Sequence, residues 1–134
     1  MPATTLGERT LAESDHVRLS QLLPASLWPP ALAELLTMAD VISASAMPAN
    51  VITMYSQVDI VDAHTGRRQT LTVCYPEDAE PSAGFISVLS PVGCGLLGQK
   101  AGSFARWPTP SGEEGMAEIV AIVAPPAAAG GKHR

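Results

Sequence analysis

Polar and apolar positions change period once along the chain, and that change divides it. Residues 1–13 hold no sustained period and read as a loose lead-in. Ser14 and Asp15 are helix N-cap types. Leu19, Leu22 and Leu23 follow at i, i+3 and i+4, with Val17 at the edge of the stripe, and predict a short helix that Pro24 stops. After Pro29-Pro30 a second helix is expected from about Ala31 to Val41 or beyond, because Leu32, Leu35, Leu36, Ala39 and Ile42 keep helical spacing. Proline is tolerated in a first helical turn, where its missing N–H has no intrahelical partner. Two short helices joined by a proline-rich loop predict an antiparallel hairpin, with Leu27 and Trp28 at its tip.

At Pro48 the period becomes two. Ile52, Met54, Val58 and Ile60 share one face; Thr53, Tyr55, Gln57 and Asp59 share the other, predicting a strand over Val51–Asp62. His64-Thr65-Gly66-Arg67 is a turn, and Arg68–Tyr75 a second strand, so the two form a hairpin. An acidic loop runs from Pro76 to Gly84. Phe85–Leu89 is a short apolar strand. Ser90-Pro91 then gives a cap followed by an N1 proline, opening a short helix through Leu97 that Gly98 closes. Gly93 and Gly95 weaken that helix but allow close backbone approach. Strands follow at Ser103–Pro108 and Gly115–Ala124; the last is apolar on both faces and belongs near the sheet centre. Pro125–Arg134 reads as a mobile tail. The pattern predicts an α+β protein: a hairpin over residues 1–47, then a compact α+β unit over 48–134.

Composition narrows the function. The 134 residues are 46% hydrophobic and 16% charged, enough to hold a core without metals or disulfides. No apolar run reaches the roughly 18 residues of a membrane span. The N-terminus lacks a basic start and apolar stretch, so no secretory signal is expected. The net charge of −5 argues against electrostatically driven nucleic-acid binding. With no sign of export, Cys74 and Cys94 are expected as free, half-buried thiols in a cytosolic protein.

Catalytic constellations are nearly empty, so no catalytic residue, cofactor or metal is expected. Gly93-Cys94-Gly95-Leu96-Leu97-Gly98 superficially matches a dinucleotide fingerprint, but no βαβ crossover follows, and tight helix packing is the plainer reading. Cys94 near a helix N-terminus would be an acidic thiol; without a histidine partner it reads as a small apolar filler. Glu77, Asp78 and Glu80 read as a solvated loop before a cation site. Asp59 and Asp62 belong on the wet face of the sheet, and His16 on the helix surface. Trp28 is either folded back on the helices or offered to a partner, with folding back favoured.

Three blocks resemble the regulator of nucleoside diphosphate kinase family. They are Val51-Ile52-Thr53-Met54-Tyr55-Ser56-Gln57-Val58, Leu71–Ala79 around Tyr75-Pro76-Glu77-Asp78, and Ile86–Gly98 around Ser90-Pro91-Val92-Gly93. The last two also resemble the C-terminal domain of the transcript-cleavage factors GreA and GreB. This chain departs from the family pattern at Tyr55, where the family has Asn, at Gly102-Ser103 in place of Gly-Asp, and after the last strand.

The resemblance implies an FKBP-like antiparallel sheet with one short helix behind a short coiled-coil hairpin. It also implies a protein that docks on RNA polymerase at the secondary-channel entrance, through Ser90, Pro91 and Val92, in competition with Gre-type factors. Gre factors carry acidic residues on a long coiled coil to the catalytic metal. Here helices of about ten residues reach only about 15 Å, and the tip, Pro24–Pro30, holds no Asp or Glu. Transcript cleavage is therefore not expected. The family name raises a second reading, modulation of nucleoside diphosphate kinase, directly or indirectly. A third is an FKBP-like prolyl isomerase or other interaction module, although two Trp, two Tyr and two Phe leave little for an aromatic pocket.

Overall fold

The computed structural model describes residues 9–124. The expected tail from Pro125 lies outside them, as do residues 1–8 of the lead-in. The rest of that lead-in is ordered. Strand β1 (Thr10–Ala12) runs directly into helix α1 (Glu13–Ser20), which is capped at Ala12 rather than Ser14. Glu13 and Asp15 stand in the first turn of α1 and complement the positive end of its dipole. Helix α2 (Pro30–Met38) begins with Pro30 in its first turn, as the sequence requires, but ends three residues short of Val41. Asp40–Ile42 is instead strand β2, paired in parallel with β1, and the Asp40 N–H donates to the Arg9 carbonyl at 2.9 Å. The β-branched pair Val41-Ile42 suits that extended pairing better than a last helical turn.

The expected coiled-coil hairpin does not stand out as a separate element. The helices have only eight and nine residues, about two turns each. Leu19, Leu32, Leu35 and Leu36 all join one core cluster with Ile52, Val73, Cys94 and Leu96. Short amphipathic helices gain most of their stability from such packing, so they lie on the sheet domain instead of zipping along each other.

Five further strands form one curled, mixed sheet in the order β5-β4-β3-β7-β6. They are β3 (Gln57–Asp62), β4 (Arg68–Cys74), β5 (Phe85–Ser87), β6 (Phe104–Pro108) and β7 (Glu114–Ala124). Pairings are antiparallel except β4–β5, which is parallel and corrects the expectation of a purely antiparallel sheet. The acidic segment after β4 supplies the crossover this requires. The predicted β3–β4 hairpin forms, and Asp62 Oδ1 accepts the His64 and Thr65 N–H groups at 2.8 and 2.9 Å to hold its turn. Strand β7 is flanked on both sides, as its apolar faces predict. Two bulges against β3 turn Val120 and Val123 outward, where both are exposed.

The strand expected over Val51–Asp62 starts only at Gln57. Tyr55 adopts φ 68°, and the Thr53–Ser56 turn is closed by a 3.1 Å backbone bond and a 2.8 Å contact between the two hydroxyls. The family pattern has Asn at this place, a residue type that tolerates the left-handed region; for tyrosine the cost is roughly 1–2 kcal/mol. That cost is offset because Tyr55 is buried, contrary to its predicted place on the wet face. Its N–H donates to the Val73 carbonyl at 2.7 Å, and its hydroxyl donates to the Asp78 carboxylate.

Helix α3 (Pro91–Leu96) closes the curl. A Cβ on Gly93 would lie 2.2 Å from the Ser87 carbonyl oxygen at the end of β5, and one on Gly95 would lie 2.9 Å from the Arg106 carbonyl oxygen of β6. The two glycines thus let one short helix touch both edge strands.

Candidate functional site

The site is built around the start of α3. Ser90 caps the helix: its Oγ accepts the Gly93 N–H at 3.1 Å and donates to the Ser87 carbonyl at 2.7 Å. Those two bonds hold α3 on β5, and Ser90 stays half-buried at the start of the helix. Pro91 is exposed at the first helical position, and half-buried Val92 packs against the core. At the other end of α3, Arg9 bonds the last carbonyls. Its Nε donates to Leu97 O at 2.9 Å, and its Nη2 donates to Cys94 O and Leu97 O. Burial lowers the Arg9 pKa, while the Cys94 and Glu34 charges oppose that shift.

Pro91 stands on the wall of an open groove of about 780 Å³. One wall comes from α2 through Leu35 and Met38, the other from α3 and β6 through Pro91, Phe104 and Trp107. Trp107 fits because Gly115 faces it on β7; a Cβ there would lie 2.3 Å from the indole Nε1. The sequence singles out Pro91 but gives no sign that Met38 and Phe104 line the same groove. The available signal for the strand was Phe104, Arg106 and Pro108 alternating with Ala105 and Trp107 along an edge. The hairpin-tip residues do not join this groove. Trp28 is folded back, with its indole Nε1 donating to the Leu23 carbonyl at 2.9 Å, while Leu27 is 63% exposed.

Other candidates fall outside it. Cys74 and Cys94 are fully buried, not half-buried, and burial pushes the Cys94 thiol up instead of making it acidic. Asp78 is buried against Tyr55, whereas Glu77 and Glu80 are exposed. Among the described residues no group of three or more His, Cys, Asp and Glu is placed to hold a metal ion, and no helix is long and apolar enough to cross a membrane. His16 is half-buried, its Nε2 2.9 Å from the Leu36 carbonyl, tying α1 to α2. Asp59 bridges to Arg68 at 3.5 Å on the wet sheet face, as expected.

The family described as "Transcription elongation factor, GreA/GreB, C-term" matches residues 47–124, which hold the curled sheet and α3. The chain belongs to the GreA/GreB C-terminal family. Among curated relatives, the regulator of nucleoside diphosphate kinase of Escherichia coli K12 is 34% identical over 92 residues, 69% of this chain and 68% of that one. A GreA transcription elongation factor of Amoebophilus asiaticus is 37% identical over 82 residues, 61% of this chain and 52% of that one. The solved structure of a GreA/GreB transcription elongation factor from Nitrosomonas europaea is 32% identical and superposes with a TM-score of 0.70, covering 87% of this chain and 98% of that one.

A second, smaller groove of about 430 Å³ lies between the start of α1 and the segment before β3. Asp15 lines it and accepts the Met54 N–H at 3.4 Å. Burial raises the Asp15 pKa, outweighing the Met54 bond and the Arg18 charge. A carboxyl raised on folding binds its proton more tightly in the native state. Its stabilising effect is therefore complete below the ordinary carboxylate pKa and is lost as pH climbs through the raised native value. Asp15→Asn keeps an acceptor for Met54 without the charge. Thermal melts should show this variant more stable than the parent at pH 7, with the gain shrinking by pH 3; a loss at pH 7 would contradict the assignment.

Proposed function

We propose that this protein is a regulator that docks on core RNA polymerase near its secondary channel and does not stimulate transcript cleavage. The observation that carries this reading is Pro91, which the family resemblance places on the polymerase-facing side and which stands exposed on an open groove. The cleavage half of the reading rests on reach and charge. Helices of eight and nine residues span about 12–14 Å. The chain from Gln21 to Pro30 contains no Asp or Glu, so it offers no carboxylate to a catalytic magnesium ion. Binding without cleavage makes the protein a competitor of longer Gre-type factors.

The test is retention of purified core polymerase on the immobilised protein, together with RNA cleavage in stalled elongation complexes. Wild type is expected to retain polymerase, to leave the RNA uncut, and to reduce GreA-stimulated cleavage when in excess. Pro91→Glu places an acidic residue where the α3 dipole favours it, so the helix survives while the contact surface changes. This variant should lose at least tenfold in affinity. Cleavage stimulated by wild type, or no retention of polymerase, would overturn the reading.

The name of the Escherichia coli relative supports a second reading, an effect on nucleoside diphosphate kinase. With no phosphate cradle in the sequence, that effect runs through expression or a partner. Purified kinase should keep its rate when the protein is added.

A further inference from the structure

The smaller groove is assembled from segments far apart in sequence. Ser14 and Asp15 come from the start of α1, Met47 and Pro48 from the connection after β2, Thr53 from the turn before β3, and Ile122 from β7. Its volume of about 430 Å³ falls in the size range of small-molecule sites. It shares no lining residue with the larger groove at Pro91. Among the described residues Asp15 is the one ionisable side chain that lines it.

That carboxylate is poorly served by its own chain. Among the described residues it accepts one hydrogen bond, the 3.4 Å contact from the Met54 N–H, which is longer than usual; an ionised carboxylate has room for about four. Arg18 stands one turn further along α1, but its guanidinium lies 4.3 Å from the centre of the Tyr75 ring and does not line the groove. The remaining titratable neighbours are exposed Glu13 on the same helix and buried Tyr75 just after β4, and neither supplies a positive charge. The lining decides what completes the site. An anion is repelled. A wholly apolar molecule would bury the carboxylate without a partner. A divalent ion wants about six oxygens, and one carboxylate with the Ser14 and Thr53 hydroxyls is too few. An alkyl ammonium meets every feature. Its charge pairs with Asp15, its other N–H groups donate to the two hydroxyls, and its carbon stem lies against Met47, Pro48 and Ile122. Thr53, whose hydroxyl pairs with Ser56 at 2.8 Å, keeps a lone pair for that donor.

We propose that the groove between α1 and the turn before β3 binds a small organic ammonium ion, a primary amine on a short aliphatic stem, with Asp15 as its counter-ion. One carboxylate matches one positive charge, so a monoamine fits better than a polyamine, whose second charge would face apolar walls. The bound amine touches α1 and β7 together and so ties the N-terminal helices to the sheet. Asp15 then has opposite effects in the two states. It costs stability in the free protein, where burial disfavours its charge, and contributes stability once the amine is bound. This site is independent of the docking reading above.

The probe is n-butylammonium chloride, titrated into the whole protein at pH 7 and followed by amide NMR and thermal melts. Saturable shifts are expected at Asp15, Met54 and Ile122, with a Kd on the order of millimolar for so small a ligand. The melting temperature should rise with amine concentration. 1-Butanol has the same stem without the charge and should bind at least tenfold more weakly. The amine itself should weaken as much at pH 3, where Asp15 holds its proton. Asp15→Asn should keep the fold and lose at least tenfold in amine affinity. Met47→Lys places an ammonium in the groove with Asp15 intact; it should abolish the shifts, and it keeps the test decisive if Asp15→Asn disturbs folding. Equal amine binding by wild type and both variants, or shifts no greater than sodium chloride gives at the same ionic strength, would overturn the site. Butanol binding as tightly as the amine would overturn the counter-ion role of Asp15. Saturation by a lysine-containing peptide but not by butylammonium would overturn the small ligand in favour of a protein side chain. Polymerase enters none of these arms, so the docking reading stands or falls separately.

Discussion

Replacing Gly93 with alanine is expected to destabilise the protein by about 3 kcal/mol or more, the top of the range for overpacking a close contact. The added Cβ would stand 2.2 Å from the Ser87 carbonyl oxygen and 3.2 Å from Ser90 Oγ. Neither atom is free to move. Ser87 ends β5, which is held in register on β4, and Ser90 Oγ caps α3 through the Gly93 N–H itself. Alanine would otherwise favour a helix by about 1 kcal/mol over glycine, so the sign of the effect separates local propensity from packing. Urea unfolding of Gly93→Ala should show a sharply lowered midpoint, or no cooperative transition. A variant as stable as the parent would mean that α3 does not sit against β5 as described. Gly112→Ala is the control: its φ is +90° with open space around it, so only the milder cost of a left-handed alanine applies.

The second large effect is expected at Leu32. Its side chain is fully buried in the cluster that includes residues of α3 and the sheet. Truncation to alanine should cost about 2–5 kcal/mol, the range for deleting a buried leucine side chain. The result distinguishes two architectures. In a projecting hairpin the loss would stay local and the sheet would unfold as before. In the observed fold the whole cooperative transition should shift, and amide exchange in β3 and β4 should accelerate along with that of α2. Leu27→Ala, at a 63% exposed position, should change stability by no more than about 0.5 kcal/mol. A global transition unmoved by Leu32→Ala would return the N-terminal helices to the status of a separate arm.

Much of the fold was legible because its signals are local. The alternation through Val58, Ile60, Leu71 and Val73 specified β3 and β4, and the turn around Gly66 joined them. Ser90 followed by Pro91 announced the start of α3, and the hydroxyl performs the predicted capping bond. Trp28 folds back on the Leu23 carbonyl, the arrangement its proline-rich surroundings favour. The misreadings share a cause. Val41 and Ile42 continue a helical stripe in sequence, yet pair with Leu11 and Ala12, about thirty residues away. Tyr55 falls on the polar face by counting, yet a left-handed turn carries it into the core, where Asp78 also lies. Asp78 looked like a member of a solvated acidic run because nothing near it in sequence reveals that a tyrosine hydroxyl awaits it.

The same division holds for the site. By itself the sequence determined the family blocks, the helix start at Ser90-Pro91, the uncharged tip and the shortness of the two N-terminal helices, since composition, caps and spacing act within a few residues. Only the tertiary structure decided that α2 stands beside α3, that Arg9 fastens them, that β4 and β5 pair in parallel, and that Met38 and Phe104 flank one groove. Those are choices between distant segments. They depend on which faces find complementary partners after the local elements exist, and no spacing along the chain records that outcome.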